Sequence, residues 1–220
     1  MGRPPKFTRE KLQTAALSIV DEQGLEALSM RALAQALGTG PMTLYSYVDS
    51  REGLDVLVVE AIIGKAVWTH PPGAGWQDDL RYVARAIWQA VRLHPNAIPI
   101  VLTRRSRTPA IFAVAESLLG PLRGAGFANV QLLAAFRAVT ALIVGMAQGE
   151  LTGPLALKAG ESAAETIAKF EALPRDTYPG LIEAALATDR SSPEGEFDLA
   201  MSFLVRGLES QIASQGESDA

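Results

Sequence analysis

The sequence predicts an all-α fold, an N-terminal three-helix module with a helix-turn-helix joined by a long helix to a C-terminal helical bundle. Three observations carry this. Apolar residues recur at the three-and-four spacing of a helix along most of the chain. No run of alternating β-branched residues reads as a strand. Glycine and proline divide the chain into helix-length pieces, with no internal repeat and no long low-complexity tract.

The first helix is expected from about Arg9 to Glu22, capped by Thr8, with Leu12, Ala16, Ile19 and Val20 on one face and Gly24 as its stop. Ser29 caps a short helix to Leu37 with Leu33, Ala34 and Leu37 inward, and Gly38 ends it. Pro41 opens a second short helix to about Tyr47, at a position where its missing N–H costs nothing. Asp49 or Ser50 caps a long helix to about Trp68, with Leu54, Leu57, Val58, Ala61 and Ile62 buried. His70-Pro71-Pro72-Gly73-Ala74-Gly75 reads as a subdomain junction. Helices follow at roughly 76–93, 96–103, 109–123, 128–150, 161–172, 175–188 and 195–213, between Pro95, Pro109, Gly124, Gly126, Gly153, Pro174 and Pro193. The expected division is a module at residues 1–50 and a body at residues 51–220.

Composition narrows the chemistry. Hydrophobic residues make up 48% of the 220 and charged residues 20%, enough apolar material for a core. With no cysteine, disulfides, thiolate nucleophiles and cysteine-based metal sites are excluded, and His70 and His94 are the only histidines. Met1–Lys11 is basic and no apolar segment follows it, so no signal peptide is expected. The apolar stretch from Leu132 to Ala147 contains Arg137 and falls short of the roughly 20 residues that span a bilayer. A soluble, cytoplasmic protein without membrane contact is the expectation. No GxSxG elbow, P-loop, HExxH or Gly-rich phosphate fingerprint is present, so no enzyme is expected.

The net charge of −4 alone speaks against a nucleic-acid partner, but its distribution does not. Residues 1–11 carry Arg3, Lys6, Arg9 and Lys11 against Glu10, and from Ala27 to Val48 the only charged residue is Arg31. A surface built from these two segments is positive and free of acids. It coincides with the two short helices about a glycine-containing turn, the helix-turn-helix plan, in which the second helix lays its first residues into the major groove. Leu33, Leu37, Leu44 and Val48 can share one small core, which leaves Met42, Thr43, Ser46 and Tyr47 outward.

Here the chain resembles the TetR family of bacterial regulators. The matching words are Ala15-Ala-Leu, Glu22-Gln-Gly24, Leu28-Ser-Met-Arg-Ala-Leu-Ala34, Leu37-Gly38, Thr43-Leu-Tyr45 and Tyr47-Val48, dense over residues 8–62. Phe197-Asp-Leu-Ala-Met-Ser-Phe-Leu-Val-Arg-Gly-Leu-Glu209 is similar to the last helix of the tetracycline-repressor branch. The resemblance implies a homodimeric repressor on double-stranded, palindromic operator DNA. Arg31 would reach a guanine edge or a phosphate. Thr43, Ser46 and Tyr47 would meet bases or backbone, and Met42 a thymine methyl. Tyr45 and Arg51 would hold phosphates, the latter at a helix N-terminus. Lys6 and Arg9 would add backbone or minor-groove contacts. The chain departs from that branch at Thr39-Gly-Pro-Met42, where the branch has polar readers. With no Asn, Gln or Arg from Thr39 to Val48, readout leans on van der Waals contact, hydroxyls, water and DNA shape.

In the body, the apolar helix at 128–150 and the last helix are expected to pair with their copies in a four-helix interface. Its candidates are Phe136, Val139, Ile143, Gly145, Gly149, Met201, Leu204, Leu208 and Ile212. Phe197, Met201, Leu204, Leu208 and Ile212 have coiled-coil-like spacing. The resemblance also implies a small-molecule effector, for which Trp88, Ile100, Phe112, Leu119, Phe136, Thr140 and Met146 are the candidate lining. No cofactor is expected, and His94 with Glu150 makes a thin case for a metal-chelated ligand. A ligand-independent regulator, an activator and a helical protein-binding adaptor remain as alternatives.

Overall fold

The computed structural model describes residues 6–69, 73–103, 107–156 and 160–218, so Arg3 and the His70–Pro72 part of the expected junction lie outside the described residues. Eleven helices and no strand are found among them. They form two compact units, Met1–Ala125 and Gly126–Ala220.

In the first unit the sequence signals act where they were expected. α1 (Arg9–Gln23) starts at Thr8, whose side chain accepts the Lys11 N–H, and stops at Gly24 with φ +83°. α2 (Met30–Ala36) starts at Ser29, which accepts the Ala32 N–H. α3 (Pro41–Leu44) has proline at its first position and is shorter than expected. The Tyr47 and Val48 amides both turn back to the Leu44 carbonyl, at 2.8 and 2.9 Å, so the segment continues as a turn. α4 (Arg51–Ile63) is capped by Ser50 through the Gly53 N–H. It ends at Ile63, five residues before the expected stop, with Gly64 as its cap and tight turns of Lys65 onto Ile62 and Ala66 onto Ile63. Glycine's entropy cost in a helix accounts for that stop.

α4 packs along α1 and also touches α5 (Trp76–Arg92), α6 (Ile98–Thr103) and α7 (Pro109–Gly124). The contacts therefore tie α4 into one unit with both the helices before it and those after it. Leu54, Leu57, Val58 and Ile62 of α4 meet an interior that includes Leu80, Ala84, Trp88 and Val91 of α5, all buried. A single 3₁₀ turn, Pro95–Ala97, leads into α6.

The second unit is built from α8 (Asn129–Thr152), α9 (Ala163–Glu171), α10 (Pro179–Ala187) and α11 (Pro193–Ser218). α9 opens with a reciprocal capping box between Ser162 and Glu165. The Ser162 amide and hydroxyl hold the Glu165 carboxyl below its ordinary range. α10 begins four residues later than expected because Tyr178, preceding Pro179, is steered out of helix at φ −127° and ψ 44°. α8 and α11 pack together through Ala135, Val139, Ile143 and Ala147 on one side and Phe197, Met201, Val205 and Leu208 on the other, all buried.

Within its own chain α8 buries one stripe, Ala135, Val139, Ile143 and Ala147. Val130, Leu133 and Leu151 stay exposed, as do Leu199 and Phe203 of α11. At 24 residues α8 is also longer than the apolar stretch suggested, and by length and apolarity it is able to cross a bilayer.

Candidate nucleic-acid interface

The turn between α2 and α3 follows from two hydrogen bonds. The Gly38 amide reaches Gln35 O at 3.1 Å and the Thr39 amide reaches Ala34 O at 2.9 Å, with Gly38 at φ +62°. This is the Schellman arrangement, which needs a left-handed residue at that point. Gly40 then stands extended at φ −82° and ψ 149° to start α3. Leu28, Leu33, Leu44 and Val48 close the interior beneath, while Leu37 is half-buried.

On the outer side, Met42 is 81% exposed and Tyr45 51% exposed. Thr43 and Ser46 are exposed too, and the Ser46 hydroxyl donates to Thr43 O at 2.8 Å, keeping its acceptor lone pairs outward. Arg31 is exposed at the second position of α2. The structure thus gathers Arg31, Met42, Thr43, Tyr45 and Ser46 as outward groups of the helix-turn-helix and keeps acids out of the segment between Ala27 and Val48.

Four expected contact residues have internal partners. The Tyr47 hydroxyl accepts the Phe7 amide at 3.3 Å, and the two rings meet edge-on at 6.1 Å. Lys6 Nζ donates to the Thr39 hydroxyl at 3.1 Å, beside the start of α3. Lys6 and Phe7 are thereby docked on the residues that flank α3. Arg9 binds the buried Glu60 carboxylate of α4 at 2.7 Å, with the Gln13 amide at 2.8 Å on the same oxygen. Arg51 was expected on a phosphate. Its guanidinium is instead turned onto its own chain, donating to the carbonyls of Leu28 and, at 3.1 Å, Leu25, and pairing with buried Asp55 at 3.5 Å. It braces the turn that delivers α2.

Phe7, Thr39 and Glu60 were missed by sequence reasoning. One signal was available. Phe7 and Leu12 stand just before the Thr8 cap and at the fourth position of α1, the spacing of a hydrophobic staple, and both are buried.

Residues 12–55 match the family model described as bacterial regulatory proteins, tetR family. Residues 70–212 match the tetracyclin repressor-like C-terminal domain.

The chain belongs to the TetR family.

The transcriptional repressor DrrR1 of Streptomyces coeruleorubidus is 29% identical over 229 residues, covering 99% of this chain and 83% of that protein. The class D tetracycline repressor protein of Escherichia coli is 28% identical over 214 residues, covering 95% and 92%. The crystal structure of the Streptomyces coelicolor TetR family protein ActR in complex with (S)-DNPA superposes with a TM-score of 0.77 at 23% identity, over 95% of this chain and 100% of that one. The protein is a DNA-binding transcriptional regulator with the all-α TetR fold, and not an enzyme.

The body residues expected in the TetR family roles are distributed as follows. In the first unit Trp88 and Ile100 are buried, Leu119 is half-buried and Phe112 is 56% exposed. In the second unit Phe136, Thr140 and Met146 are half-buried on α8, and the Thr140 hydroxyl donates to the Phe136 and Arg137 carbonyls of its own helix. Of the expected dimer residues, Val139, Ile143 and Met201 are at most 1% exposed, inside one subunit, which removes them from any surface a partner reaches. The reason is the α8–α11 packing, which uses the same apolar spacing an interface would. Leu208 lines a groove of about 240 Å³ with Phe127, Gln131, Ala134, Ala138 and Gln211. Gly145 and Gly149 are exposed, and Phe136, Leu204 and Ile212 half-buried. The His94 ring is bonded to Asp21 in the first unit, and Glu150 is half-buried on α8 in the second. Among the described residues no group of three or more metal-ligating side chains occurs.

Proposed function

We propose that this regulator is a cytoplasmic homodimeric repressor that holds a palindromic operator and releases it when a small hydrophobic or amphipathic ligand binds its body. The observation that carries the DNA half is the outward set of Arg31, Met42, Thr43, Tyr45 and Ser46 on a helix-turn-helix without an acidic group from Ala27 to Val48. The dimer half is supported by the apolar side chains Val130, Leu133, Leu199 and Phe203, exposed on the two helices that the TetR pattern pairs. They replace Val139, Ile143 and Met201 as the candidates. The ligand half is supported by the structural likeness to ActR, which was crystallised with a bound small molecule. A ligand acts by favouring one of two body states, and the reading helices of the two subunits then lose the one-turn spacing the duplex demands.

Selection of bound duplexes from random DNA tests the first two parts together. A palindromic product with half-sites one helical turn apart is expected. A non-palindromic product defeats the dimer reading, and no enrichment defeats the operator reading. With that duplex in hand, Met42 makes a sharp prediction. Replacing thymine by uracil at the contacted position removes one methyl group and weakens binding by about fourfold. In Met42→Ala the two duplexes bind alike. Equal binding of both duplexes by the unaltered protein contradicts the methyl contact.

A further inference from the structure

The hydroxyl groups around α3 differ in what they have left to offer. A hydroxyl holds one proton and two lone pairs, whereas a carbonyl oxygen only accepts. Ser46 Oγ stands 2.8 Å from Thr43 O, so its proton is committed to that carbonyl and its lone pairs are what remain. Thr39 and Tyr47 are the reverse. The Thr39 hydroxyl accepts from Lys6 Nζ at 3.1 Å and the Tyr47 hydroxyl accepts the Phe7 amide at 3.3 Å, so each keeps its proton to give.

The early end of α3 fixes the sense of the Ser46 bond. α3 stops at Leu44. The Tyr47 amide, which a longer helix would aim at Thr43 O, turns instead to Leu44 O at 2.8 Å and shares it with the Val48 amide at 2.9 Å. The Ser46 hydroxyl takes the Thr43 carbonyl, one of the acceptors a helix end leaves over. Against a duplex, where water is displaced, rotating that proton away would strand Thr43 O without a donor, and a stranded acceptor costs more than one bond gains. The bond is therefore kept in the complex, and Ser46, exposed beside Met42, Thr43 and Tyr45, presents acceptors alone.

We propose that Ser46 is a specificity-determining residue for operator binding, and that it reads the exocyclic amino group of one base in the major groove, adenine N6 or cytosine N4. This rests on the operator-binding reading above. Those two amino groups are the donors the major groove presents. Guanine N7 and O6, thymine O4 and every phosphate oxygen are acceptors, and they meet the Ser46 lone pairs with repulsion. At the base it faces, Ser46 therefore favours adenine over guanine, or cytosine over thymine. Its preference is opposite to that of Arg31, whose guanidinium only donates and so suits a guanine edge. The two residues together supply a donor and an acceptor to a reading surface that has no side-chain amide from Thr39 to Val48.

The test runs the selection from random DNA twice, with the full-length protein and with Ser46→Ala. The two products are expected to differ at one base of the site, and at its symmetry mate where the site is palindromic, with a preference for adenine or cytosine relaxed in the variant. That base is then replaced by its analogue without the amino group, purine for adenine or pyrimidin-2-one for cytosine. The unaltered protein is expected to bind the analogue duplex about fivefold more weakly, and Ser46→Ala to bind both duplexes alike. An equal loss in the two proteins assigns the effect to base pairing and overturns the proposal. Relaxation at a guanine or thymine, a uniform loss on every duplex, which marks a phosphate contact, or unchanged affinity in Ser46→Ala overturns it as well. If the unaltered protein enriches no duplex, the operator reading falls and takes this one with it. If a duplex is enriched, each of the other failures removes this proposal alone.

Discussion

Leu44→Ala destabilises the helix-turn-helix by about 2–5 kcal/mol and removes operator binding. α3 is four residues long and Leu44 is the one side chain it buries, at 0% exposure. A helix this short has no stability of its own and persists by tertiary packing alone. Truncating its anchor leaves a cavity against Leu28, Leu33 and Val48, which share that interior. Amide exchange localises the damage, with protection lost over α2 and α3 and kept over α9 to α11. Leu44→Met, which nearly conserves volume, is expected to stay within about 1.5 kcal/mol and to bind. Unchanged exchange over α3 in Leu44→Ala contradicts the single-anchor account.

The second large effect is on binding without folding. Arg31→Ala weakens operator binding by about 1–3 kcal/mol, while stability changes by less than about 0.5 kcal/mol. Arg31 is exposed and is the only charge between Ala27 and Val48, so its removal leaves no cavity and no neighbouring cation takes its place on that segment. The salt dependence separates two modes. A guanine contact relaxes preference at one base position, whereas a phosphate contact lowers affinity on every duplex and reduces the salt slope by about one. Arg31→Lys is expected to bind as poorly as alanine in the first mode, because lysine lacks the bidentate fork. Full affinity in Arg31→Ala removes the residue from the interface.

The elements of the first unit were legible because their signals are local. Thr8, Ser29 and Ser50 each accept the backbone N–H three residues on, as a cap does, and Gly24 and Gly38 take the positive φ their positions demand. What the sequence hid is long-range. Lys6 and Thr39 are 33 residues apart, Arg9 and Glu60 51, His94 and Asp21 73, and no spacing rule joins such pairs. Arg51 illustrates the cost. Its place at a helix N-terminus suits a phosphate, yet the Leu25 and Leu28 carbonyls and Asp55 lie within its reach and occupy it. The faces of α8 were ambiguous for another reason. A helix apolar all round has no amphipathic period, so nothing in the pattern marked Ala135, Val139, Ile143 and Ala147 as the stripe its own subunit covers.

Val130, Leu133, Leu199 and Phe203 carry a consequence for how the folded state is maintained. When apolar surface is covered by a second copy, folding is linked to association by mass action, and no stability can be assigned to the chain apart from its concentration. In the proposed homodimer, dilution would act as a denaturant does. Operator DNA that binds the proposed paired form would then be a stabilising ligand, drawing the equilibrium toward the folded protein.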